Sequence, residues 1–269
     1  MPLPAKLLAL CACLAAPLAA QLPFYTDDPA VTARGKFHFE FFNEFDALQH
    51  QDPNIRQNTT NYKLNYGLPH NLELDLDFPY LAIFRLLETP DSHGAGDVNL
   101  GVKWNFHKAS SSSRVPALSA SLYIEFPTGD ARQQLGSGLV DYVFTVIAQK
   151  PITSHTRINS NLGYVLAGNT STGALGIQSS HGHVFTGGLS ALHDFNARLT
   201  LGVEVYGAFS SRGSLGRSQL QAMIGGQFAL RRGMALDFGL LGGKYVASPR
   251  VGAQVGFSLD FPDLYRPVH

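Results

Sequence analysis

Asp-Val-Asn-Leu-Gly-Val-Lys-Trp-Asn-Phe, residues 97–106, is the stretch of this chain that indicates its fold. Apolar side chains occupy every second position from Val98 to Phe106, and the positions between them are small or polar. Because successive side chains of a β-strand point to opposite faces, this alternation predicts a strand with one apolar and one polar face. Such a strand fits the surface of a soluble sheet, or the wall of a membrane barrel with lipid outside and water inside.

The same alternation recurs along the chain and predicts about twelve strands, an even number. In the clearest of them, residues 72–78, Leu and Phe alternate with three carboxylates, which need water on their side because burying an unpaired charge is costly. Longer polar loops alternate with mostly short turns, and aromatic residues gather near both strand ends, as in outer-membrane barrels. We therefore predict an all-β fold, a single antiparallel transmembrane β-barrel. Phe42 interrupts the alternation of the first strand and indicates a bulge.

The two ends of the chain differ in pattern from the predicted barrel. Residues 1–20 contain Lys6, then an apolar run, then small residues before Gln21, which predicts a cleaved secretory signal peptide. We interpret residues 21–34 as a periplasmic lead-in, 35–261 as the barrel and 262–269 as a C-terminal tail. Beyond residue 20 there is no apolar run of about 18 residues, so no membrane-spanning helix is predicted.

Composition excludes several classes of function. The formal net charge is zero, so nucleic acid is not an expected partner. Both cysteines, Cys11 and Cys13, lie in the predicted signal peptide, which excludes a disulfide scaffold, a thiolate metal site and cysteine catalysis in the mature chain. Ser179 to His183 is the best candidate for hydrolase chemistry, but nothing supplies a third orienting group. We predict no enzyme activity, no cofactor and no metal.

Three stretches resemble one family. They are Thr26-Asp27-Asp28-Pro29 with Gly35, the run Gly94-Ala95-Gly96-Asp97 that continues to Trp104, and Pro127-Thr128-Gly129-Asp130 followed by Gly136 and Gly138. The chain resembles the outer-membrane barrels described as transporters of the meta-pathway of phenol degradation. It departs from barrels that end in a terminal aromatic residue, because eight residues follow Phe261.

The resemblance and the strand pattern together predict what the protein does. The expected function is a channel or transporter in the Gram-negative outer membrane for passive passage of small solutes, with aromatic or other apolar solutes implied by the resemblance. The alternative is a non-transporting barrel, either structural or a lipid-acting hydrolase. The expected partners are outer-membrane lipid, the solute and the barrel assembly machinery.

Alternation also predicts which residues line the solute path. These are Lys63, Glu73, Asp75, Asp77, Lys103, Glu125, Arg157, Arg198, Glu204 and Asp237. The carboxylates of residues 73–77 have two interpretations, a selectivity stripe in a wet lumen or ion pairs that fill a narrow barrel. Hairpin pairing places Lys103 opposite Glu73 and within reach of a carboxylate of that strand, which leaves Asp77 the least neutralised.

The predicted loop from Pro79 to Gly96 contains an apolar run, Tyr80 to Leu87. Four of its residues could form a latch in the barrel mouth: Leu81, Ile83, Phe84 and Leu86. Alternatively, the run extends the strand or lies on the lipid rim.

Overall fold

The computed structural model describes residues 23–49, 54–85, 90–109, 114–166, 182–210, 219–245 and 248–261. The predicted signal peptide and the C-terminal tail lie outside the described residues. The described strands are β1 Phe37–Leu48, β2 Ile55–Leu68, β3 Leu72–Arg85, β4 Ser92–Ala95, β5 Val98–His107, β6 Ala117–Phe126, β7 Asp141–Pro151, β8 Thr156–Leu166, β9 His183–Asp194, β10 Leu199–Ser210, β11 Gln219–Arg231, β12 Met234–Gly243 and β13 Pro249–Asp260. Two short 3-10 helices cover Pro69–Asn71 and Ala131–Gln133.

Twelve of these strands form a closed antiparallel ring, which confirms the predicted barrel. The hydrogen-bonded order runs from β2 through β1 and β13 down to β5 and β3, and a further pairing of β2 with β3 closes the circle. Every strand of the ring therefore has a partner on both sides. Closure matters in hydrocarbon because an unpaired backbone N–H or C=O has no water to bond there.

Much of the loop predicted between Pro79 and Gly96 is paired strand, formed by the extension of β3 and by the thirteenth strand, β4, so that prediction was wrong. Residues 86–89 lie outside the described residues. β3 continues to Arg85, and β4 pairs with its last part while β5 pairs with its first part. β4 and β5 thus behave as one strand interrupted at Gly96 and Asp97, where the Gly96 N–H still donates to the Pro79 carbonyl at 2.9 Å.

The outward face of the ring carries large apolar side chains that are open to the surroundings. Leu162 is 71% exposed, and Phe209, Ile224 and Leu240 are similarly open. A continuous apolar surface of this kind is unfavourable in water and favourable in the hydrocarbon of a bilayer. None of the helices among the described residues has the length and apolar character needed to cross a membrane.

Aromatic residues lie outward near both ends of the ring. We call the end with short connections (for example residues 152–155 and 232–233) the turn end, and the opposite end the loop end. Trp104 and Phe106 lie near the turn end with ring centroids 5.5 Å apart. Phe126 and Tyr142 are exposed at the loop ends of β6 and β7. This placement suits amphipathic rings at the two membrane interfaces.

The inward face is polar, and it includes buried Glu, Asp, Asn, Gln and Ser side chains from most strands. Phe42 occupies an inward position between Glu40 and Glu44, and the pairing of β1 with both neighbours continues through it without a shift. The predicted bulge at Phe42 was therefore wrong, since the strand keeps its alternation and simply carries one apolar side chain inward.

A charge on the outward face tests the membrane assignment. We expect Leu162→Arg to destabilise the barrel by about 2–4 kcal/mol, because the new side chain lies near the middle of a lipid-facing strand. Ile152→Arg is the matched control, since Ile152 is also exposed but lies in a turn. Chemical unfolding in lipid vesicles measures both. Equal effects at the two positions would contradict a lipid belt around β8.

Candidate functional site

Residues 23–34, here called the lumen segment, lie inside the barrel against its wall. The segment begins at Pro23 beside β11 and β12, and Phe24 and Thr26 then pass β10 and β9. The side-chain amide of Asn161 on β8 donates to the backbone carbonyl of Asp27 and accepts from its backbone N–H. The segment ends at β2, where the Gly35 N–H donates to the Gly67 carbonyl at 2.7 Å. The predicted lead-in outside the barrel is thus corrected, because the segment follows the ring around the inside.

Glycines in the wall let the segment approach closely. A Cβ on Gly67 would lie 2.1 Å from the Ala33 carbonyl oxygen, and one on Gly188 would lie 2.5 Å from Thr26 Oγ1. Real Cβ atoms do not approach other heavy atoms so closely, so a larger residue would push the segment away from the wall. These two glycines are inside positions that a strand pattern alone does not distinguish from ordinary strand glycines.

Wall carboxylates hold the backbone of the lumen segment. Glu204 of β10 accepts hydrogen bonds from two consecutive N–H groups, those of Tyr25 and Thr26. Glu73 of β3 accepts one from the N–H of Thr32. A carboxylate that accepts from a backbone N–H makes a charge-assisted bond, which is stronger than a neutral one. Two residues predicted to line a path therefore anchor the segment instead.

The register predicted for Lys103 is confirmed, but its ion pair is with a residue that was not predicted. It lies directly opposite Glu73 in the β3–β5 register, as predicted. Its ammonium, however, bonds to Asp27 Oδ1 at 2.9 Å, and the Lys103 side chain is fully buried. Breaking a buried ion pair by removing one partner typically costs about 3–5 kcal/mol. The ion pair therefore fastens the segment to the wall, where the sequence suggested a contact between neighbouring strands.

The other carboxylates of β3 also have neighbours in the lumen. Asp75 accepts a hydrogen bond from the Tyr123 hydroxyl at 2.7 Å, a partner that the sequence did not predict. Asp77 lies opposite Lys63 in the β2–β3 register, and that Asp77 is the least neutralised of the three stays a prediction. Neither original interpretation describes the group fully, since it contains segment anchors as well as charged wall residues.

The remaining predicted lumen residues occupy different surroundings. Glu125 lies inward opposite Asp141 across β6 and β7. Arg157 Nη1 bonds to Asp194 at 2.9 Å near the turn end. Asp237 is buried and accepts from Gln227 Nε2 at 2.9 Å. Arg198 is a correction, because it lies in the exposed turn before β10 and not in the lumen.

Taken together, the inward positions of the described strands are strongly acidic. Their carboxylates include Glu40, Glu44, Asp46, Glu73, Asp75, Asp77, Glu125, Asp141, Asp194, Glu204, Asp237 and Asp260, and the basic side chains along the same wall include His38, Lys63, Arg85, Lys103 and Arg157. The whole chain is neutral, so this excess arises from the way the fold sorts its charges between the lumen and the outside. Such a lumen attracts cations.

Tyr25 of the lumen segment contacts two strands that are far apart in the ring. Its backbone is bound to Glu204 of β10, while its hydroxyl donates to Glu44 Oε1 of β1. These two strands are four places apart in the ring. The ring of Tyr25 stacks on Tyr206, with centroids 5.6 Å apart and an interplanar angle of 28°. A single side chain thus bridges separate parts of the wall across the lumen.

A loop folds over the lumen wall at the loop end. Residues 127–140, here called the mouth loop, are held by Asp97, whose two carboxylate oxygens accept from Gly129 N at 2.8 Å and Ser137 N at 2.7 Å. Asp130 starts its 3-10 helix, and the hydrogen bonds from the Gln133 side chain and the Arg132 N–H hold the pKa of Asp130 below its usual value. Two of the motifs noted in the sequence therefore form one structural unit.

The predicted latch is partly present, and as part of β3. Leu81 and Ile83 face inward, are buried and pack with Leu135 of the mouth loop. Phe84 faces outward, which corrects its assignment to a latch, and Leu86 lies outside the described residues. The apolar run thus extends a strand, and its inward half supports the mouth loop.

The candidate hydrolase stretch is described only at residues 182 and 183. His183 begins β9, and its ring contacts the Tyr164 hydroxyl on β8. The preceding residues of the stretch, Ser179 to His181, lie outside the described residues. Within the described residues, no group of three or more His, Asp or Glu side chains could hold a metal ion.

Sequence reasoning missed Tyr25, Asp27 and Glu44 as site residues. Residues 23–34 have no alternation, so nothing local indicates that they enter the barrel. Glu44 lies on the inward face of β1, but strand alternation could not show that its partner would be Tyr25 of the lumen segment. The Thr-Asp-Asp-Pro motif was the one available signal, since it contains the partner of Lys103.

Comparison with known proteins places these features in context. A family model described as "Putative MetA-pathway of phenol degradation" matches residues 23–261. Among solved structures, the chain resembles an outer membrane channel from Pseudomonas putida F1, with TM-score 0.69, 12% identity, and coverage of 87% of this chain and 98% of that one. No curated protein matches the sequence.

Two further solved structures are similar at lower scores. The translocator domain of the autotransporter NalP from Neisseria meningitidis has TM-score 0.53 and 12% identity, covering 86% of this chain and 90% of that one. The KdgM porin in complex with disordered oligogalacturonate has TM-score 0.52 and 8% identity, covering 84% and 99%. At such identities the likeness establishes the barrel fold and not the solute.

A disulfide tests where the lumen segment lies. Residues 21–269 contain no cysteine, so introduced thiols have no native competitors. A Cβ on Gly188 would lie 3.4 Å from Thr26 Cβ, close to the 3.5–4.5 Å found in disulfides. We expect Thr26→Cys combined with Gly188→Cys to crosslink on mild oxidation, as measured by mass spectrometry.

The matched control for this crosslink uses the next position of β9. Thr26→Cys with Gly187→Cys should stay reduced, because successive strand residues point to opposite faces of the wall. A crosslink to residue 187, or none to residue 188, would show that the segment does not lie against the inside of β9.

Proposed function

The chain belongs to the family whose model it matches, and we propose that it is an outer-membrane channel for passive passage of small solutes in which the lumen segment forms the constriction. The closed ring with an apolar outside and a polar inside supports the membrane location. The lumen also contains a segment that wall side chains hold in place, which distinguishes it from a core packed entirely by wall residues.

The observation that carries this proposal is the bridge made by Tyr25. The side chain crosses from β10 to β1, and its backbone is fixed by Glu204. The strands keep their own ladder of hydrogen bonds whether or not this bridge is made. Displacement of the segment would therefore widen the lumen without unfolding the barrel, which is what a channel constriction requires.

The kind of solute follows from the family and from the lumen together. The family description refers to phenol degradation, which favours aromatic or other apolar solutes. The acidic lumen favours neutral or cationic solutes over anions, since a wall of carboxylates repels negative charge. We propose small neutral aromatic compounds as the principal class.

Processing and assembly complete the proposal. Residues 1–20 would be removed as a signal peptide, and the barrel assembly machinery would insert the mature chain into the outer membrane of a Gram-negative cell. The lumen segment would then be enclosed by the strands that follow it in the sequence, because its partners extend from β2 to β12.

The second candidate is a barrel that does not transport, either structural or lipid-hydrolysing. The buried Lys103–Asp27 ion pair is the observation that favours the structural form. An ion pair that holds the lumen segment permanently in place would make the segment a plug, and the same contact would also hold a constriction. We propose no catalytic role, because the neighbours reported above are a channel, a porin and a translocator domain. Conductance and lipid hydrolysis, measured on the same preparation, separate these alternatives.

The crosslinked variant tests the constriction directly. In planar bilayers, oxidised Thr26→Cys/Gly188→Cys should conduct less than the same protein after reduction, because the disulfide holds the segment on the wall. The single variant Thr26→Cys is the control and should not respond to reductant. Conductance that is indifferent to the crosslink would contradict the constriction, and a lack of current in every form would contradict a channel.

Ion selectivity tests the acidic lumen. We expect cation preference in the wild type, and Glu125→Gln should lower it because one inward negative charge is lost. Asp130→Asn is the control, since hydrogen bonds keep the Asp130 carboxylate charged but it lies in the exposed mouth loop. Reversal potentials in a salt gradient measure both variants. A larger effect at Asp130 would place the selective region outside the strands.

A further inference from the structure

The surroundings of the Tyr25 side chain have the features of a small-molecule binding site. One face of the ring stacks on Tyr206, and the ring also packs against the buried apolar group of Phe24, Met223 and Leu241. Its hydroxyl donates to Glu44 at the far side. The wall thus provides a flat aromatic surface, an apolar floor and a strong acceptor in positions that match one phenol ring.

The site offers both acceptors and a donor to a hydroxyl group. The carboxyl groups of Glu44 and Asp46 lie within hydrogen-bonding distance of each other beside the Tyr25 hydroxyl. Gln221 Nε2 is a buried donor next to the same hydroxyl. A hydroxyl can donate to a carboxylate and accept from an amide at the same time, so this part of the wall favours an occupant that brings an O–H group.

Tyr25 differs from an ordinary wall tyrosine in how it is attached. Tyr123 also donates to a lumen carboxylate, that of Asp75, but it belongs to β6 and cannot leave without breaking the barrel. Tyr25 belongs to the lumen segment, which is held on the wall by hydrogen bonds and the Lys103–Asp27 ion pair. Its ring can therefore leave the site while the strands remain paired.

We propose that this pocket, formed by Tyr206, Met223, Leu241 and Glu44, is a binding site for hydroxylated aromatic solutes, and that Tyr25 occupies it in the absence of solute. A solute ring would replace the ring of Tyr25 on Tyr206, and its hydroxyl would donate to Glu44. Replacement releases the Tyr25 end of the lumen segment, so the solute opens its own path. This inference rests on the proposed constriction and names the chemistry that relieves it.

The choice of ligand class follows from the contacts. A hydrocarbon ring without a hydroxyl would fill the apolar part but would leave the Glu44 carboxylate without the donor that Tyr25 provides. A small cation would satisfy the carboxylates but would not replace the ring on Tyr206 and the apolar floor. A ring with a hydroxyl replaces both contacts at once.

Thiol labelling of Thr26→Cys reports release of the segment without measuring transport. Thr26 is 2% exposed, so a cysteine there should react slowly with a water-soluble maleimide while Tyr25 is seated. The probe solute is p-cresol, which has the same ring and hydroxyl as a tyrosine side chain. We expect p-cresol to raise the labelling rate saturably in proteoliposomes.

Three comparisons decide whether the hydroxyl is recognised. Toluene partitions more strongly into lipid than p-cresol does. If p-cresol acts through a general effect on the membrane, toluene should raise the labelling rate more. If the hydroxyl is required, toluene should not raise the labelling rate at all. Glu44→Gln should reduce the response to p-cresol. Tetramethylammonium chloride should have no effect.

A second variant keeps the test independent of added solute. Tyr25→Phe in the Thr26→Cys background retains the ring and removes the hydroxyl, so labelling without solute should rise roughly tenfold or more, as loss of a hydrogen bond to a charged group predicts. Ser154→Cys, in an exposed turn, controls for changes in maleimide chemistry. Folding of each variant is checked by its resistance to unfolding before boiling.

Contrary results are equally specific. Equal responses to p-cresol and toluene, a response to tetramethylammonium, or unchanged labelling in Tyr25→Phe would each overturn the proposed site. The conductance of the crosslinked variant is a separate measurement. A channel that responds to the crosslink but not to p-cresol would retain the constriction and lose the solute site.

Discussion

The constraint on which the structure depends is the hydrogen bonding of its backbone in a medium without water. Each strand must find partners on both sides, so the sheet has to close, and the pairing of β2 with β3 completes the ring. Closure then divides the side chains into two sets. Alternate residues face lipid or the lumen, and the polarity of each set follows the solvent that it meets.

The lumen raises a second problem, because it gathers many carboxylates in a narrow space. The lumen segment relieves part of it by bringing donors into the barrel. It brings backbone N–H groups to Glu73 and Glu204 and a hydroxyl to Glu44, while its Asp27 gives the buried Lys103 a partner. The inward charges and the N-terminal segment are therefore one arrangement, and neither is understandable without the other.

The same arrangement suits a gated path better than a solid core. The lumen segment is attached by hydrogen bonds, an ion pair and the packing of Phe24 and Tyr25, whereas the strands are joined by continuous ladders. The two sets of contacts differ in strength and in position, so one can open while the other holds. The mouth loop adds a second fixed element at the loop end, where Asp97 holds Gly129 and Ser137 over the inward residues of β3.

The barrel, its twelve-strand ring and the facing of most strand residues could be predicted from the sequence, because the alternation of side chains along a strand is a local property that about ten residues of a strand display. Local pattern failed where the chain leaves that period, as in the lumen segment, or where parts of a predicted loop, residues 79–85 and 92–95, are paired strand. Only the tertiary structure could place Thr26 against Glu204, since 178 residues separate them. It also decided that Lys103 pairs with Asp27 and not with β3, because register fixes which backbones are opposite but not which way a long side chain turns. Contacts of this kind depend on the closed ring, which no short stretch of sequence contains.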